Sequence, residues 1–241
     1  MNIKISIIIP CLNEEKNITR IYKEIKKKFE RRDYEIIYVD DGSKDNSRNE
    51  ILALSKQFKN VRYLFRNKDK DLSRSFFAAV ELSKSNYIIL MDCDLQHDPE
   101  ILNKLYSEVS NKNLSIVSGS RFMKRSINNT KKIKYIFRLI LSRILNWTIN
   151  FILDTKLTDP LTGIFISDRK KILKQKKNLY LNGYKIFLDF YTTIKTTKKH
   201  TEIPIILNER INGESKLSLK TLINILKLIL YKKFKLYRQF F

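Results

Sequence analysis

The sequence predicts an α/β fold, with a mostly parallel central sheet flanked by helices. In the first part of the chain, short apolar runs typical of buried strands alternate strictly with amphipathic runs typical of helices. Such alternation implies right-handed crossovers, which make successive strands parallel and place the helices on the faces of the sheet. With 241 residues, 43% of them apolar, the chain is long enough to bury a large core.

Three of the first four strands end at residues that disfavour a strand. Pro10 closes the first strand, Gly42 and Ser43 follow the second after two aspartates, and Asp92 follows the fourth. The predicted strands are 3–10, 34–39, 61–65 and 87–91, and the helices between them are 17–29, 46–58 and 73–83.

The rest of the chain continues this pattern less regularly. We predict a helix at 99–108, a strand at 114–119, a helix at 133–153, a strand at 164–167, a helix at 184–195, a strand at 202–207 and a helix at 219–238. We expect one domain over 1–215, with an amphipathic interface helix at 131–153 inside it, and then a basic amphipathic helix at 216–241.

The two long apolar segments, which are the helices predicted at 133–153 and 219–238, are predicted to lie on a membrane surface. Four basic residues interrupt them: Arg138, Arg143, Lys227 and Lys232. A spanning helix needs about 20 mainly apolar residues, so we expect these segments to lie on the membrane rather than cross it. The chain enters its first strand directly, so we expect no signal peptide.

Acidic residues follow three of the predicted strands: Glu14, the pair Asp40 and Asp41, and the pair Asp92 and Asp94. Because ligands bind beyond the carboxyl ends of the strands in open α/β sheets, we expect these acids to converge along one edge. The last pair offers hard oxygen donors, which suit Mg or Mn shared with phosphate oxygens.

A structural alternative exists for the last pair. Asp92 and Asp94 could be a helix N-cap and a turn aspartate, although Asp98, just before Pro99, is the better cap. The chain has no GxGxxG and no GxxxxGK[ST] motif, which disfavours a Rossmann dinucleotide enzyme and a P-loop NTPase. Nucleotide phosphates would then be bound through a metal and basic side chains.

The formal charge of +23 predicts an anionic partner. Nucleic acid, an anionic membrane surface and phosphorylated substrates would all be attracted, so charge alone does not choose among them. The two cysteines, Cys11 and Cys93, are too few for a disulfide scaffold, and we expect them to remain reduced in a cytosolic protein.

Several motifs occur in an order that matches a known family. They are Ile9-Pro10-Cys11-Leu12-Asn13-Glu14, Val39-Asp40-Asp41-Gly42-Ser43, Met91-Asp92-Cys93-Asp94-Leu95-Gln96-His97-Asp98-Pro99-Glu100, Gly119-Ser120-Arg121-Phe122, Asp159 to Gly163, Gly183-Tyr184-Lys185 and Arg210 to Lys216. Over nearly its whole length the chain resembles the inverting family 2 glycosyltransferases of GT-A fold. Within them it resembles the polyprenyl-phosphate branch, which is dolichol-phosphate mannose synthase-like.

The resemblance implies a role for each matching residue. The nucleoside pocket would be lined by Pro10, Leu12, Glu14 and Asp41. The metal and the donor diphosphate would be held by Asp92, Asp94 and Gln96, with Arg210, Ser215 and Lys216 closing on the diphosphate. The lipid phosphate would be held by Arg121 and Arg138, with Asp159 positioning the acceptor or an arginine.

The function implied is metal-assisted transfer of a hexose, with inversion, from a nucleotide sugar of GDP-mannose or UDP-glucose type. The acceptor would be a dolichyl or undecaprenyl phosphate at the cytoplasmic face of a membrane, where the protein would be peripheral and could partner a separate membrane subunit. An acceptor phosphate is already anionic near neutrality, so the reaction needs cations rather than a general base. Arginine suits that task because its planar fork engages two phosphate oxygens.

Two other functions are weighed against this one. A family 2 enzyme acting on a saccharide or protein acceptor would need a catalytic base in place of Arg121 and Arg138. A nucleic-acid-binding protein is motivated by the charge alone, and we expect no nucleic acid as partner. The two arginines could also form surface ion pairs, and Lys216 could be merely solvated. We expect His97 to pack beside the acids rather than to bind the metal.

The chain departs from the family pattern at two places. Leu12 stands where an aromatic residue is common, so stacking on the base is lost. The loop 68–75 lacks the glycines that would let its backbone approach the donor closely. Both departures lie on the donor side of the expected site.

Overall fold

The computed structural model describes residues 3–67, 71–112, 114–123, 133–194, 199–208 and 219–237. The strands are β1 (Ile5–Cys11), β2 (Tyr34–Asp40), β3 (Val61–Phe65), β4 (Tyr87–Leu90), β5 (Ile116–Ser120), β6 (Phe165–Asp168) and β7 (His200–Pro204). The helices are α1 (Glu15–Lys28), α2 (Ser47–Gln57), α3 (Leu72–Leu82), α4 (Ile101–Asn111), α5 (Ile133–Leu153), α6 (Arg169–Lys174), α7 (Ile186–Ile194) and α8 (Leu219–Tyr237). The predicted alternation is confirmed.

The described strands form one seven-stranded sheet in the order β3-β2-β1-β4-β6-β5-β7. β1 is parallel to β2 and β4, β2 is parallel to β3, and β5 is parallel to β7. Only β6 among them is antiparallel, and it runs against both β4 and β5. The predicted mostly parallel sheet is therefore confirmed, with one reversed strand.

The reversed strand matters for the site. Phe165, at the start of β6, pairs with Leu90 at the end of β4 and with Ser118 near the end of β5. The residues just before β6 therefore lie at the same edge of the sheet as those just after β4 and β5. This brings two distant parts of the sequence together at one edge.

The sheet is buried on both faces, as a sheet flanked by helices must be. Successive side chains of β1 point to opposite sides, so Ile7 packs with Ile21 of α1 while Ile8 packs with Phe76 of α3 and Phe187 of α7. Helix α4 joins the first of these clusters through Leu105. The rigid sheet thus fixes where its strand ends lie.

A third apolar cluster joins α5, α7 and α8. It contains Ile149 of α5, Leu188 of α7 and Ile225 of α8. Beside it, the buried Lys232 of α8 pairs with the buried Asp189 of α7 at 2.5 Å. One side of α8 is thus packed into the fold. The predicted domain boundary at 215 stays a prediction, because residues 209–218 lie outside the described part.

The exposed sides of α5 and α8 are unusually apolar. On α5 the exposed apolar residues are Ile140, Leu141, Ile144, Trp147 and Phe151, and on α8 they are Ile223, Leu226, Leu230 and Phe234. The inward side of α5 instead carries polar residues such as Asn146 and Asn150, which hydrogen-bond the segment after the helix. Across the described residues, no helix combines the length and apolarity needed to cross a membrane.

Several predicted bounds, such as those of β1, α1 and α7, are off by one or two residues, and three other assignments also differ from the sequence prediction. The short helix α6 was not predicted; Asp168 caps it by accepting a hydrogen bond from the Lys171 backbone. Helix α4 begins at Ile101, because Asp98 and Pro99 form the turn that precedes it. Strand β7 lies at 200–204 rather than 202–207, paired with β5.

Candidate active site

The acidic strand ends converge as predicted. β2, β1 and β4 are neighbours and parallel, so Asp41, Glu14 and Asp92 all follow the same edge of the sheet. Hydrogen bonds join the first two loops: the Asn13 backbone donates to Ser43 Oγ at 2.8 Å, and the Glu14 backbone donates to Ser47 Oγ at 2.8 Å. Of the residues predicted to line the nucleoside pocket, Pro10 lies near the end of β1. The others, Leu12, Glu14 and Asp41, lie in segments after β1 and β2 that these bonds tie together.

The two aspartates after β2 differ in their surroundings. Asp40 is fully buried and accepts hydrogen bonds from the Gly42 backbone at 3.1 Å and from Arg48 Nε at 2.5 Å. Its carboxylate therefore builds the loop. Asp41 is partly exposed and lies 3.4 Å from Arg66 Nη1, which leaves it as the member of the pair that can face a ligand. Pro10 is partly buried and Leu12 is 37% exposed at the end of β1.

The segment after β4 is folded into a tight turn around its acids. Asp94, which is 8% exposed, accepts a hydrogen bond from the Gln96 backbone at 3.1 Å, and Leu95 adopts a left-handed φ of 59° between them. The Gln96 carbonyl accepts from the Asn208 backbone at 2.8 Å. The residues after β7 are thereby attached to the acidic turn.

Asp92 is positioned by a glycine from the segment before β6. A Cβ added to Gly163 would lie 2.6 Å from Asp92 Oδ2, which is closer than real side chains allow. Only glycine at this position lets the carboxylate occupy its place. The motif from Asp159 to Gly163 therefore contributes a close approach to the acidic turn.

Arg121 and Asp159 form a bidentate pair next to this turn. Arg121 Nε and Nη2 donate to the two Asp159 oxygens at 2.7 and 2.8 Å, and the Arg121 backbone donates at 3.1 Å. Asp159 is fully buried, and its own backbone donates to Glu202 at 3.0 Å. The guanidinium is therefore held rigidly by a carboxylate that is already engaged.

Helix α5 supports this pair from its polar inner side. Asn146 Nδ2 donates to the Thr158 carbonyl at 3.1 Å, and Asn150 both donates to and accepts from the Leu157 backbone. These bonds fix the residues immediately before Asp159. Asn146 and Asn150, which lie on the polar side of α5, thus hold Asp159, the partner of Arg121, in place.

His97 is a neutral residue packed behind the acids. Burial lowers its pKa to about 4, and the field of Asp94 only partly opposes this effect. Its Nε2 lies 4.0 Å from Asp92 Oδ2, so at neutral pH this contact is not an ion pair. Within the described part of the chain, its buried Nδ1 has no hydrogen-bond partner. Direct binding of a metal stays untested for this residue.

Sequence reasoning missed one cation at the site, Lys185. Its Nζ donates to the Leu161 carbonyl at 3.1 Å, and it interacts electrostatically with Arg121, Asp92 and Asp159. Burial lowers its pKa, and the nearby Arg121 charge lowers it further. The motif Gly183-Tyr184-Lys185 was the available signal, but the sequence alone assigned it no role.

Several predicted site residues cannot be placed. Arg210, Ser215 and Lys216 lie outside the described residues. Arg138 belongs to the first turns of α5, but its side chain also lies outside the described part. Their roles toward the diphosphate and the acceptor stay predictions.

The donor set after β4 fits a hard divalent cation. Asp92 and Asp94 supply carboxylate oxygens and Gln96 supplies an amide oxygen. The described residues contain no group of three or more His, Cys, Asp or Glu side chains able to hold a metal. A cation here would therefore complete its shell with water and substrate oxygens, as Mg²⁺ does when it binds one or two carboxylates plus phosphates.

Solved structures with a similar fold come from Mycobacterium tuberculosis. The structure of glucosyl-3-phosphoglycerate synthase with UDP matches 95% of this chain and 80% of its own, with a TM-score of 0.69 and 15% identity. A complex of the same enzyme with Mn²⁺, UDP-glucose and phosphoglyceric acid matches 95% of this chain and 79% of its own, with a TM-score of 0.69 and 16% identity. These matches show that the fold is of the GT-A type.

Sequence comparison shows the family. The dolichol-phosphate mannosyltransferase of Pyrococcus furiosus is 31% identical over 93% of this chain, which spans 62% of that relative's length. The dolichol-phosphate mannosyltransferase of Saccharomyces cerevisiae is 29% identical over 94% of this chain and 86% of its own. The profile "Glycosyl transferase family 2" matches residues 6–177. The chain therefore belongs to glycosyl transferase family 2, in the branch that resembles dolichol-phosphate mannosyltransferases.

Proposed function

We propose that this glycosyltransferase moves a hexose from a nucleotide sugar to a polyprenyl phosphate. The observation that carries the proposal is the rigid Arg121–Asp159 pair beside the acidic turn. It places a fixed cation, rather than a free carboxylate base, next to the residues suited to a donor diphosphate. An acceptor that is already an anion needs this arrangement, whereas a hydroxyl acceptor needs a base.

The donor is proposed to bind over the ends of β1, β2 and β4. Pro10, Leu12, Glu14 and Asp41 would line the nucleoside pocket. Asp92, Asp94 and Gln96 would hold Mg or Mn against the diphosphate, and the masking of negative charge is what the metal supplies there. The mycobacterial relative by fold, solved with Mn²⁺ and UDP-glucose, supports a metal-assisted nucleotide-sugar site.

The acceptor phosphate is proposed to bind at Arg121. One of its oxygens attacks the anomeric carbon as the bond from that carbon to the leaving diphosphate breaks, and the electron pair departs with the diphosphate. No proton has to be removed from the nucleophile, because the phosphate is already ionised. Attack opposite the leaving group inverts the anomeric centre. Asp159 serves by holding Arg121 rather than by acting as a base.

The protein is proposed to be peripheral, at the cytoplasmic face of a membrane. The apolar residues exposed on α5 and α8 include Trp147 and Phe151, whose rings stack at 5.6 Å, and Phe234. Exposed cations lie among them, such as Arg143 and Lys227. Such a surface suits anionic headgroups above an apolar layer, and it would bring the site to a lipid-borne acceptor. A separate membrane subunit is the other occupant that this surface could take.

A donor screen tests the proposal. The purified protein is incubated with Mg²⁺ or Mn²⁺, a polyprenyl phosphate in detergent or vesicles, and each common nucleotide sugar, and released nucleoside diphosphate is measured. We expect release from one donor to increase strongly when the lipid phosphate is added. No acceptor-dependent release from any donor, under conditions in which the Pyrococcus relative is active, would sink the proposal.

A further inference from the structure

Lys185 is attached to a rigid part of the fold. The Gly183 backbone, with φ at 96°, donates to Asp71 Oδ2 at 2.6 Å, and its carbonyl accepts from Ser73 Oγ at 2.8 Å. Helix α7 begins immediately afterwards, at Ile186. The chain before Lys185 is thus tied to the start of α3, and the chain after it is helical. The lysine therefore extends from a fixed backbone toward the site.

The ammonium group of Lys185 is incompletely neutralised. Among the described residues its hydrogen-bond partner is the Leu161 carbonyl, which takes one of its three N–H donors. The acids that act on it electrostatically are Asp92 and Asp159, but both oxygens of Asp159 are already bound to Arg121. Removing a cation from bulk water without a full set of partners is costly.

Lys185 is bonded to Leu161, two residues after the Asp159 that holds Arg121, so one short segment positions two cations at this end of the site. Arg121 and Lys185 act on each other as like charges, and burial strengthens this repulsion. An anion placed between them would convert the repulsion into two attractions. A phosphate is the anion that the reaction itself brings to Arg121.

We propose that Lys185 binds the acceptor phosphate together with Arg121, as a second cation of the acceptor site. This inference rests on the proposed function and deepens it. The two cations hold the non-attacking oxygens, which leaves one oxygen to attack the anomeric carbon while the bond to the leaving diphosphate breaks. No proton moves in this step.

The acceptor side is favoured over the donor side by the neighbours of Lys185. The lysine interacts with Arg121 and Asp159, and the acid it feels in the turn after β4 is Asp92. Among the described charged groups that act on Lys185, two belong to the arginine pair and one, Asp92, belongs to the proposed metal site. Lys185 thus lies with the arginine pair.

The test compares three variants in steady-state kinetics with the metal, the preferred nucleotide sugar and a water-soluble short-chain isoprenyl phosphate. Lys185→Met removes the charge, and Lys185→Arg keeps it. Lys171→Met is the matched control, because Lys171 is also partly buried and its side chain makes one described hydrogen bond, to Ser115 Oγ at 2.9 Å. Slow nucleotide release without acceptor reports the donor site separately.

We expect Lys185→Met to raise the acceptor KM at least about tenfold, as loss of a charged hydrogen bond implies. The donor KM and acceptor-free release stay unchanged, Lys185→Arg recovers part of the affinity, and Lys171→Met behaves as wild type. If Lys185→Met does not fold, the Lys185→Arg variant must still show a changed acceptor KM with an unchanged donor KM.

Two outcomes would overturn the inference. One is an unchanged acceptor KM in a folded Lys185→Met protein. The other is an equal loss of donor and acceptor affinity with lower thermal stability, which would mean that Lys185 only anchors the Leu161 backbone. Failure of the wild-type protein to use any lipid phosphate would instead refute the proposed function itself.

Discussion

Replacing Gly163 with alanine should separate activity from stability. The added Cβ would lie 2.6 Å from Asp92 Oδ2, so the carboxylate must move by at least roughly 0.8 Å to reach ordinary contact distance. A displacement near 1 Å in an active site costs about a hundredfold in rate, so we expect a loss of about ten- to a hundredfold. The free energy of unfolding should fall by less than about 1 kcal/mol, because Asp92 is half exposed and can move.

Gly119→Ala is the matched control for the added methyl group. Its Cβ would lie 2.7 Å from Ile164 Cγ2 and 2.8 Å from Ile205 Cγ2, inside the core rather than at the acids. Overpacking of this kind costs about 1–3 kcal/mol of stability. Activity per folded molecule should fall less than in Gly163→Ala.

Sugar transfer and denaturant unfolding measure the two quantities. A Gly163→Ala protein with wild-type turnover and wild-type stability would show that the position of Asp92 does not matter. The reasoning would also fail if Gly163→Ala lost more stability than Gly119→Ala, since the effect would then lie in the fold rather than in the carboxylate.

Three further predictions concern other parts of the molecule. Arg121→Ala should cost about 3–5 kcal/mol of stability, because it leaves Asp159 buried without its partner. Adding Asp159→Ala should restore much of the stability but none of the activity with lipid phosphate. Restored activity in the double variant would refute the role of Arg121. Phe151→Ser with Phe234→Ser should weaken cosedimentation with anionic vesicles at unchanged thermal stability, because the side chains are 77% and 67% exposed; undiminished binding would contradict the membrane surface. Burial lowers the pKa of His200 in the folded protein to about 4. Between pH ~6.5 and that value the unfolded chain therefore binds one more proton than the folded protein, and the free energy of unfolding falls as the pH falls. His200→Gln should reduce this pH dependence by about 1.4 kcal/mol per pH unit in urea unfolding, and an identical pH dependence in the two proteins would disprove the prediction.

The parts of the fold that depend on local pattern were predictable. Buried strands and amphipathic helices follow from residue spacing, and parallel neighbours bring their carboxyl ends to one edge, which is why Glu14, Asp41 and Asp92 could be grouped. The reversed direction of β6 was not predictable, because it depends on how the chain returns after α5. The contact of Gly163 with Asp92 follows from that reversal.

The features that the sequence did not predict depend on contacts between residues that are distant in the chain. Asp40 and Asp41 are adjacent acids, and only the position of Arg48 shows that the first builds the loop. Lys185 lies far along the chain from Asp92, and no periodicity connects them. Lys232 looked like a residue that interrupts an apolar helix, yet it is buried against Asp189.

The central claim is that the attacking group is a phosphate held by cations. The most direct test is mass spectrometry of the lipid product after incubation with a polyprenyl phosphate or with the matching polyprenol, which has the same chain but no phosphate. The account predicts a hexose attached through phosphate in the first reaction and no glycosylated product in the second. Equal glycosylation of the two lipids, or of neither lipid while a saccharide is glycosylated, would contradict it.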